Sequence, residues 1–499
     1  MTQISMIFDS SHISSAVSLA SALATLLITV WYFLFKRRGL PPGPVGLPYF
    51  GYWPFLNDSD CHLKLEELKK NYGDIYCFTS TGRLFVIMGS IKIAREAFST
   101  KSDCFGERFS YFGVMNYIFK NGLALLKNEP WEVMRKFFVH VLKERIAIFL
   151  KNSTSESIYD SVRFIISDLK AKKGEPVNLT ALLTHKCSSI LRLIMFGEIG
   201  ATEEQIRKFY ELYATESMNI TPTSMFLNGT IARHFIFPLQ PEYQKIKKCH
   251  TQMENIIFEI VEEHKSTYNE ENIRDIIDDY FKERDDRRRK GDPTAKYFTD
   301  ETLIGTLIQM IGDGIFSVAS FISLWMKKLA EHPEEQDKLY QEILDVIGLD
   351  RQPTMEDKSK LTYFNAFISE VMRTSDFFNS FPSLECIKET TISGYRIPKG
   401  TVMVLNFYSA HRDPKIYEEP EKFNPARFIE ANGKRRPEQP ITFGIGKQTI
   451  MFGRVLYNDA SFSIPDYSSS EFPSRITKRN KYNWLRTVYV RKSTHLCTS

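Results

Sequence analysis

The feature of this sequence that most limits how the chain can fold is a long uncharged segment near its start. Residues 13–35 are 23 positions without a charged side chain. A helix of that length spans about 35 Å, enough to cross a hydrocarbon core of about 30 Å. Lys36, Arg37 and Arg38 follow at once, whereas Asp9 is the only charge before the segment. The pattern predicts a single transmembrane helix with the rest of the chain in the cytosol.

A cleaved signal peptide is the alternative interpretation of this segment. Its apolar region is normally shorter and is preceded by positive charge, whereas here the positive charge follows. We therefore expect residues 1–38 to form a membrane anchor. The run Pro41-Pro42-Gly43-Pro44 comes next. Proline fixes φ and lacks an N–H, so residues 39–56 are expected to form a stiff hinge.

The charge and cysteine content exclude two classes of protein. The 65 Lys and Arg residues nearly balance the 60 Asp and Glu residues, which leaves a net charge of +5 in 499 residues. No basic domain is present, so a nucleic-acid partner is not expected. The seven cysteines are scattered and form no CxxC pair. They are typical of reduced thiols rather than of a disulfide framework or a zinc site.

Hydrophobic periodicity predicts a mainly α-helical body with a small β portion. A hairpin is predicted over residues 75–88, with its turn at Thr81-Gly82-Arg83, and a strand pair with a tight turn over residues 394–401. The charge-dense residues 282–290 are expected to be a solvated loop or a helix end. Helices are predicted over residues 62–71, 91–98, 129–143, 155–170, 240–285 and 300–330.

Several short motifs follow one another along the body. They are Trp131 with Arg135, Glu370 with Arg373, Arg427 in the run from 423 to 428, and the glycine loop Phe443-Gly-Ile-Gly446. Each is common alone, but their order and spacing are specific. The chain resembles the cytochrome P-450 superfamily of microsomal heme-thiolate monooxygenases, in particular animal enzymes of steroid and xenobiotic type. The resemblance implies a cytochrome P-450-like helical fold from the anchor to about residue 453.

The resemblance implies a role for each of these residues. Trp131 and Arg135 match the helix that binds a heme propionate, and a guanidinium suits a carboxylate. Taken alone, Arg135 could equally make a surface salt bridge. Phe443 and Gly446 match the loop beneath the heme. The remaining three match a buried charge triad with a structural role, namely Glu370, Arg373 and Arg427.

The long helix predicted at 300–330 matches the helix that crosses the distal face of the heme. Counting back from His332-Pro333, the family's acid and threonine positions fall on Phe316 and Ser317. Ser317 keeps a hydroxyl, whereas Phe316 keeps no acid. Asp313 lies one helical turn before Ser317, so it could act as a substitute acid. It could equally be an ordinary capped or solvated helix residue.

The sequence departs from the family at the position of the heme ligand. The family's cysteine falls on Ile450 or Met451, and the sequence has no cysteine between Cys386 and Cys497. Isoleucine cannot bind iron, and a methionine thioether is neutral and lacks the electron donation of a thiolate. Residues 454–499 are Ser-rich and basic. We expect residues 57–453 to be the monooxygenase-like domain and the tail to reflect an altered exon junction or reading frame.

These observations leave two main functional hypotheses. By resemblance, the chain is a heme monooxygenase of the endoplasmic reticulum membrane that inserts one oxygen atom into a lipophilic substrate, with electrons from an NADPH-dependent flavoprotein reductase. The missing cysteine favours the other hypothesis, a catalytically silent, heme-free binding or regulatory relative, or a non-productive isoform. An unrelated membrane-anchored helical protein would require the ordered motifs to be coincidental.

Overall fold

The computed structural model describes residues 17–25, 27, 38–108, 121–152, 154–172, 177–351, 353–375, 384–429, 437–442 and 444–446. Four parts of the sequence-based hypothesis lie outside these residues: Phe443, the two candidate ligand positions Ile450 and Met451, and the tail at 454–499. Within the predicted anchor, residues 17–25 and 27 are helical. The remaining positions of the segment 13–35 also lie outside the described residues.

Helices dominate the described chain, as the periodicity predicts. Their bounds are α1 Cys61–Tyr72, α2 Ile91–Arg95, α3 Asn128–Asn152, α4 Thr154–Ala171, α5 Leu179–Phe196, α6 Glu203–Asn219, α7 Gly229–Ile231, α8 Pro241–Thr267, α9 Ile276–Arg289, α10 Asp300–Glu331, α11 Pro333–Val346, α12 Thr362–Thr374 and α13 Phe407–His411. Short 3-10 and π turns connect several of them. The mainly helical prediction is confirmed.

A five-stranded mixed sheet forms the smaller part of the fold. The strands are β1 Ile75–Ser80, β2 Arg83–Met88, β3 Glu107–Arg108, β4 Leu384–Glu385 and, later in the chain, β7 Val402–Leu405, in the order β1-β2-β7-β4-β3. β1 and β2 pair antiparallel, with Ser80 opposite Arg83. Thr81 and Gly82 form the two-residue turn at φ +45° and +80°, which suits the twist of a hairpin. The predicted hairpin is confirmed.

A second hairpin lies outside this sheet and corrects one prediction. Its strands are β5 Thr390–Ile392 and β6 Tyr395–Ile397, and its turn is Ser393-Gly394 at φ +49° and +81°. The prediction of a strand pair within residues 394–401 is therefore wrong. The turn precedes Tyr395, and Pro398 cannot donate to a strand ladder. After it the chain joins the larger sheet as β7, parallel to β2.

The single helix predicted over 240–285 is in fact two helices, since α8 ends at Thr267 and α9 begins at Ile276. Asp275 caps α9 by accepting hydrogen bonds from Ile277 N and Asp278 N, at 2.9 and 3.2 Å. Such an N-cap fixes where a helix begins. The hydrophobic periodicity continues across the break, so it did not reveal the interruption. The charge-dense residues 282–290 form the end of α9, one of the two structures expected for them.

The largest hydrophobic core lies among α3, α5, α6, α8, α9 and α10. The central helix α10 contributes Leu307, Ile311 and Ile315, which are spaced four residues apart and almost fully buried. That spacing directs one face of the helix into the core. A second core packs the larger sheet against α2 and α13. The central helix thus runs through the helical half of the molecule, where it positions the candidate site.

Two helices of the described chain, α5 and α10, are long and apolar enough to cross a membrane by length and composition alone. Both pack inside the fold: α5 contacts α10, α6 and α3, and α10 also contacts α8 and α11. An apolar helix buried in a globular core meets the same criteria. These two helices are therefore accounted for as core helices.

Candidate functional site

The central helix carries Ser317, at the family's threonine position, and Asp313, the conceivable substitute for the acid missing at Phe316. Asp313 and Ser317 lie one turn apart on α10. The Ser317 hydroxyl donates a hydrogen bond to the backbone carbonyl oxygen of Asp313. Phe316, at the family's acid position, packs against the largest core. This stretch of the helix therefore offers one carboxylate, and the partner of that carboxylate comes from another helix.

The partner is Tyr213 of α6, whose hydroxyl donates to Asp313 Oδ1. Gly312 makes this contact possible. A Cβ at Gly312 would lie 2.1 Å from Cε2 and 2.3 Å from Cδ2 of the tyrosine ring, closer than real Cβ contacts. Because glycine has no side chain, the ring packs directly against the helix backbone. The two partners are 100 positions apart, and the sequence contained no signal for the pairing.

The Asp313 side chain is accessible to solvent, and the protein around it still desolvates its carboxyl group in part. Burial raises the pKa of this carboxyl group, while the Tyr213 hydrogen bond and the charge of Arg108 oppose the rise without cancelling it. A carboxyl group with a raised pKa is suited to accepting and releasing protons.

Trp131 and Arg135 lie on α3, and the structure brings them together. The guanidinium carbon of Arg135 lies 5.3 Å from the centre of the Trp131 ring, a cation–π distance. Both side chains are half-buried, and Trp131 packs against the largest core. The contact fixes the direction of the guanidinium, which is what a site for a carboxylate requires.

The segment before α3 is fixed to the central helix by buried polar groups. Leu123 N donates to Thr306 Oγ1 at 3.1 Å, and Ala124 N donates to Gln309 Oε1 at 2.9 Å. Gly122 must be glycine here, because a Cβ would lie 2.0 Å from Nε2 of Gln309. These contacts set the position of the start of α3, and hence of Arg135, relative to α10.

Arg108 is a site residue that sequence reasoning missed. It lies on β3, which pairs with β4. Its Nε is shielded from solvent and has no hydrogen-bond partner within the described chain. Burial lowers its pKa to about 10; the positive charge of Arg135 contributes to the lowering, and Asp313 opposes it. A shielded guanidinium donor without a partner, near a second guanidinium, is suited to binding an anionic ligand.

The structure brings Glu370, Arg373 and Arg427 together in one buried cluster. Arg373 donates to both carboxylate oxygens of Glu370, each at 2.7 Å, and both side chains are fully buried. Arg427 Nε donates to Glu370 Oε1 at 3.2 Å, and Asn424 N donates to the same oxygen at 2.8 Å. Arg427 also donates to the carbonyl of Glu418 at 2.6 Å. The cluster ties α12 to residues 418–427.

The segment that leads toward the ligand loop is tied to the body by several contacts. Ile441 N donates to Nε2 of buried His411 at 3.0 Å. Burial, together with nearby arginines, lowers the pKa of His411 to about 3, so the ring is neutral and can accept this bond. Gly446 has φ +82°, and a Cβ there would lie 1.9 Å from the carbonyl oxygen of Phe98. The described part of the loop therefore has a defined position.

Comparisons with known proteins agree with this geometry. The family model described as Cytochrome P450 matches residues 41–449. The chain belongs to the cytochrome P450 family. It is 29% identical over 465 residues to Cytochrome P450 2J1 of Oryctolagus cuniculus, covering 88% of this chain and 89% of that relative. Its identity to Cytochrome P450 18a1 of Drosophila melanogaster is 27% over 458 residues, covering 90% and 84%.

A solved structure shows the same fold. It is described as "Zebra fish cytochrome P450 another structure with Progesterone", and it matches with a TM-score of 0.67 at 18% identity. The match covers 81% of this chain and 90% of the zebrafish chain. At this identity the likeness establishes the fold alone, and progesterone is a ligand of the zebrafish structure rather than of this chain.

Heme is the cofactor of the cytochrome P450 family, and the residues present fit one part of it. Arg108 has a solvent-shielded Nε without a hydrogen-bond partner among the described residues, and the positive charge of Arg135 contributes to lowering its pKa; guanidinium groups of this kind suit the carboxylates of the porphyrin. The axial ligand has no such match in the described chain. Cys386 is buried in the sheet-side core, its thiol donates to Lys388 O at 3.1 Å, and burial raises its pKa to about 11. Such a thiol is poorly suited to serve as a thiolate.

Proposed function

We propose that this P450-family protein binds a lipophilic ligand at the central helix but does not catalyse thiolate-dependent oxygen insertion in the form given by this sequence. Heme with a cysteine thiolate activates dioxygen in this family. The observation that carries the proposal is the sequence at the ligand loop. Positions 450 and 451 are Ile and Met, and no cysteine occurs between Cys386 and Cys497.

The extent of the family match supports a boundary at this loop between family-like sequence and the divergent tail. The matched region ends at residue 449, immediately before the two candidate positions. The described segment up to Gly446 is still fixed to the body through His411 and Phe98. We therefore propose that the sequence after about residue 448 comes from an altered exon junction or reading frame. A single intact frame across codons 440–460, shared by independent transcripts, would contradict this origin.

The environment of the protein is part of the same proposal. Residues 13–35 would anchor the chain in the endoplasmic reticulum membrane as a single-pass helix, with the globular part in the cytosol. Microsomal relatives support this location, and they imply a flavoprotein reductase partner and lipophilic ligands. An anchored protein would receive such ligands from the bilayer. Protease protection of the amino terminus in sealed microsomes, with digestion of the globular part, is the expected result.

An active monooxygenase is the second candidate, and specific residues favour it. Arg108 and Arg135 would hold the heme carboxylates, and Asp313 would accept and release protons on the central helix. These groups lie upstream of the ligand loop and do not depend on it. They do not replace the thiolate, because electron donation from the axial ligand is what favours O–O cleavage. The two candidates therefore differ at a single measurable point, the ligand on the iron.

The carbon monoxide difference spectrum of the reduced, heme-supplemented full chain separates the two candidates. We expect no Soret band of the thiolate type, whether heme is retained or not. Heme retention is measured in parallel by the pyridine hemochrome method. A thiolate-type band in the unmodified chain would refute the proposal of a silent protein and would establish a cysteine ligand from elsewhere in the sequence.

Two sets of variants sharpen this experiment. The substitutions Ile450→Cys and Met451→Cys each supply a thiol at one candidate position, and we expect neither to restore the band fully because the tail after the loop is also altered. If heme is retained, Arg108→Leu should lower its retention. Arg207→Leu is the matched control, because Arg207 lies on the solvent-facing side of α6 and its ion pairs in the described chain are with Glu204 and Glu211 of its own helix.

A further inference from the structure

Two cysteines that are far apart in the sequence meet where the segment before β3 contacts the segment after β4. The amide N of Ile387 donates to the carbonyl oxygen of Cys104 at 2.9 Å, and Cys386 precedes Ile387 in the chain. Next to this bond, β3 pairs antiparallel with β4, with Glu107 opposite Glu385. The contact therefore brings Cys104 and Cys386 together beside two short strands.

The backbone geometry limits the distance between the two cysteines. With standard bond lengths, the hydrogen bond between Ile387 and Cys104 keeps the Cα atoms of Cys104 and Cys386 within about 8 Å of each other. A disulfide joins Cα atoms that are about 4.4–6.8 Å apart. Bridging the two cysteines therefore requires a backbone movement of no more than about 1 Å.

Both side chains belong to the same hydrophobic core. Cys386 is fully buried in the core that packs the larger sheet against α2 and α13, and Cys104, which is half-buried, packs against that core. Burial raises the pKa of Cys386 to about 11, and the nearby Cys104 adds to the rise. The two thiols are therefore neighbours, and solvent reaches Cys104 but not Cys386.

Hydrogen bonds hold the backbone on both sides of this contact. Cys386 N donates to Thr401 O at 2.8 Å, and Gly400 N donates to Cys386 O at 2.7 Å. On the other side, Cys104 N donates to Lys101 O at 2.9 Å. The proximity of the two cysteines is therefore a property of the folded chain.

We propose that Cys104 and Cys386 form a reversible disulfide when the protein meets hydrogen peroxide. The sulfur of Cys104, after losing its proton, attacks one peroxide oxygen and breaks the O–O bond. Cys104 becomes a sulfenic acid, and the other oxygen takes up the proton and leaves as water. The Cys386 thiol then attacks the oxidised sulfur, which forms the S–S bond and releases a second water. Two electrons pass from the two thiols to the peroxide, and a small thiol such as glutathione reverses the reaction by exchange.

The bond would secure the strand that carries Arg108. β3 and β4 have two residues each, which is shorter than most strands. A covalent link next to this pairing limits the freedom of the two segments to separate. Oxidation should therefore hold Arg108, the residue suited to an anionic ligand, more firmly in place. The proposal requires neither heme nor turnover, so it does not rest on the function proposed above.

The test identifies cross-links in the full chain reconstituted in lipid nanodiscs. The protein is treated with equimolar hydrogen peroxide, the remaining thiols are blocked with N-ethylmaleimide, and the non-reduced digest is analysed by mass spectrometry. We expect the peptide that joins Cys104 to Cys386 to be at least about tenfold more abundant than any other cysteine pair, because neighbouring thiols react intramolecularly. Dithiothreitol should remove this peptide, and unfolding in urea before oxidation should remove the preference for it.

Two variants separate the two steps, and a third is the matched control. In Cys386→Ser, the sulfenic acid of Cys104 loses its partner and should be trapped by dimedone. In Cys104→Ser, Cys386 should stay reduced, because solvent does not reach it. Cys187 is half-buried like Cys104, and burial raises its pKa to about 12. In Cys187→Ser, the cross-link should form as fast as in the unmodified chain.

Absence of the Cys104–Cys386 peptide from folded, peroxide-treated protein would overturn the proposal. Equal abundance of this peptide in the urea-unfolded chain would also overturn it, because the pairing would then not depend on the fold. Hydrogen exchange at residues 104–108 should slow on oxidation, and an unchanged rate would refute the effect on Arg108. Circular dichroism of each variant ensures that folded proteins are compared.

Discussion

Replacing Glu370 with glutamine tests whether the buried charge cluster holds the fold together. Glu370 accepts two hydrogen bonds from Arg373 at 2.7 Å, one from Arg427 at 3.2 Å and one from Asn424 N at 2.8 Å. Every one of these partners is a donor. The glutamine amide supplies only one oxygen, and its NH₂ group would face a donor, so Glu370→Gln removes the charge and leaves a contact unsatisfied.

The expected loss follows from the burial of the pair. Glu370 and Arg373 are both fully buried, and breaking a buried pair costs about 3–5 kcal/mol because it leaves an uncompensated charge. Arg373 keeps backbone acceptors at His411 and Pro420, 3.0 and 2.7 Å away, which favours the lower end of that range. An unfolding entropy of roughly 2 cal/mol/K per residue over 499 residues converts the loss to about 3–5 °C in Tm.

The assay is thermal unfolding followed by circular dichroism, with Glu67→Gln as the matched control. Lys64 and Glu67 have the same i, i+3 spacing as Glu370 and Arg373 and lie 2.8 Å apart, but 57% of the Glu67 side chain is exposed. An exposed pair contributes little, so its Tm should change by no more than about 1 °C. If Glu370→Gln changes Tm as little as this control, the buried cluster does not have the stabilising role assigned to it.

Two further predictions concern the candidate loop and the pH dependence of stability. Gly446→Ala should increase proteolysis of the loop, because the new Cβ would lie 1.9 Å from the Phe98 carbonyl oxygen at φ +82°; unchanged cleavage would contradict that contact. Burial alone would lower the pKa of His264, but Asp275, 2.7 Å away, raises it overall. The stabilisation from the His264–Asp275 pair should therefore be complete below about pH 6.5, and it should be lost as the pH rises through the raised pKa of His264. Urea unfolding of His264→Gln should approach that of the unmodified chain at alkaline pH; a constant difference would contradict the linkage.

Local patterns in the sequence predicted the elements that depend on local physics. The hairpin at 75–88 was predictable because Thr81-Gly82 can adopt left-handed backbone angles. The end of α10 before Pro333 was predictable because a proline disfavours helical backbone angles in the residue that precedes it. The break between α8 and α9 was missed because Asp275 acts as a cap that hydrophobic periodicity does not reveal. Local chemistry was therefore predictable wherever one residue type decides the backbone.

The candidate site depended more on long-range pairing, which one sequence does not show. Arg108 belongs to no motif, and its place in the site arises because β3 pairs with β4, which lies far later in the chain. The Tyr213–Asp313 contact likewise joins residues 100 positions apart and depends on Gly312. Sequence reasoning left Asp313 undecided between an acid and a solvated residue, since no local pattern distinguishes the two.

Binding of the heme carboxylates and ligation of the iron are separable in this chain, because the residues for each belong to different parts of the sequence. The groups suited to the heme carboxylates, Arg108 and Arg135, are positioned by β3, α3 and the contacts of α10 with Leu123 and Ala124. By the resemblance to the family, the iron ligand would come from the loop that contains Gly446. A change confined to the residues after Gly446 would remove that ligand and would leave unchanged the contacts with Leu123 and Ala124 described here. A protein altered only there would therefore keep its affinity for a carboxylate-bearing ligand while losing the chemistry.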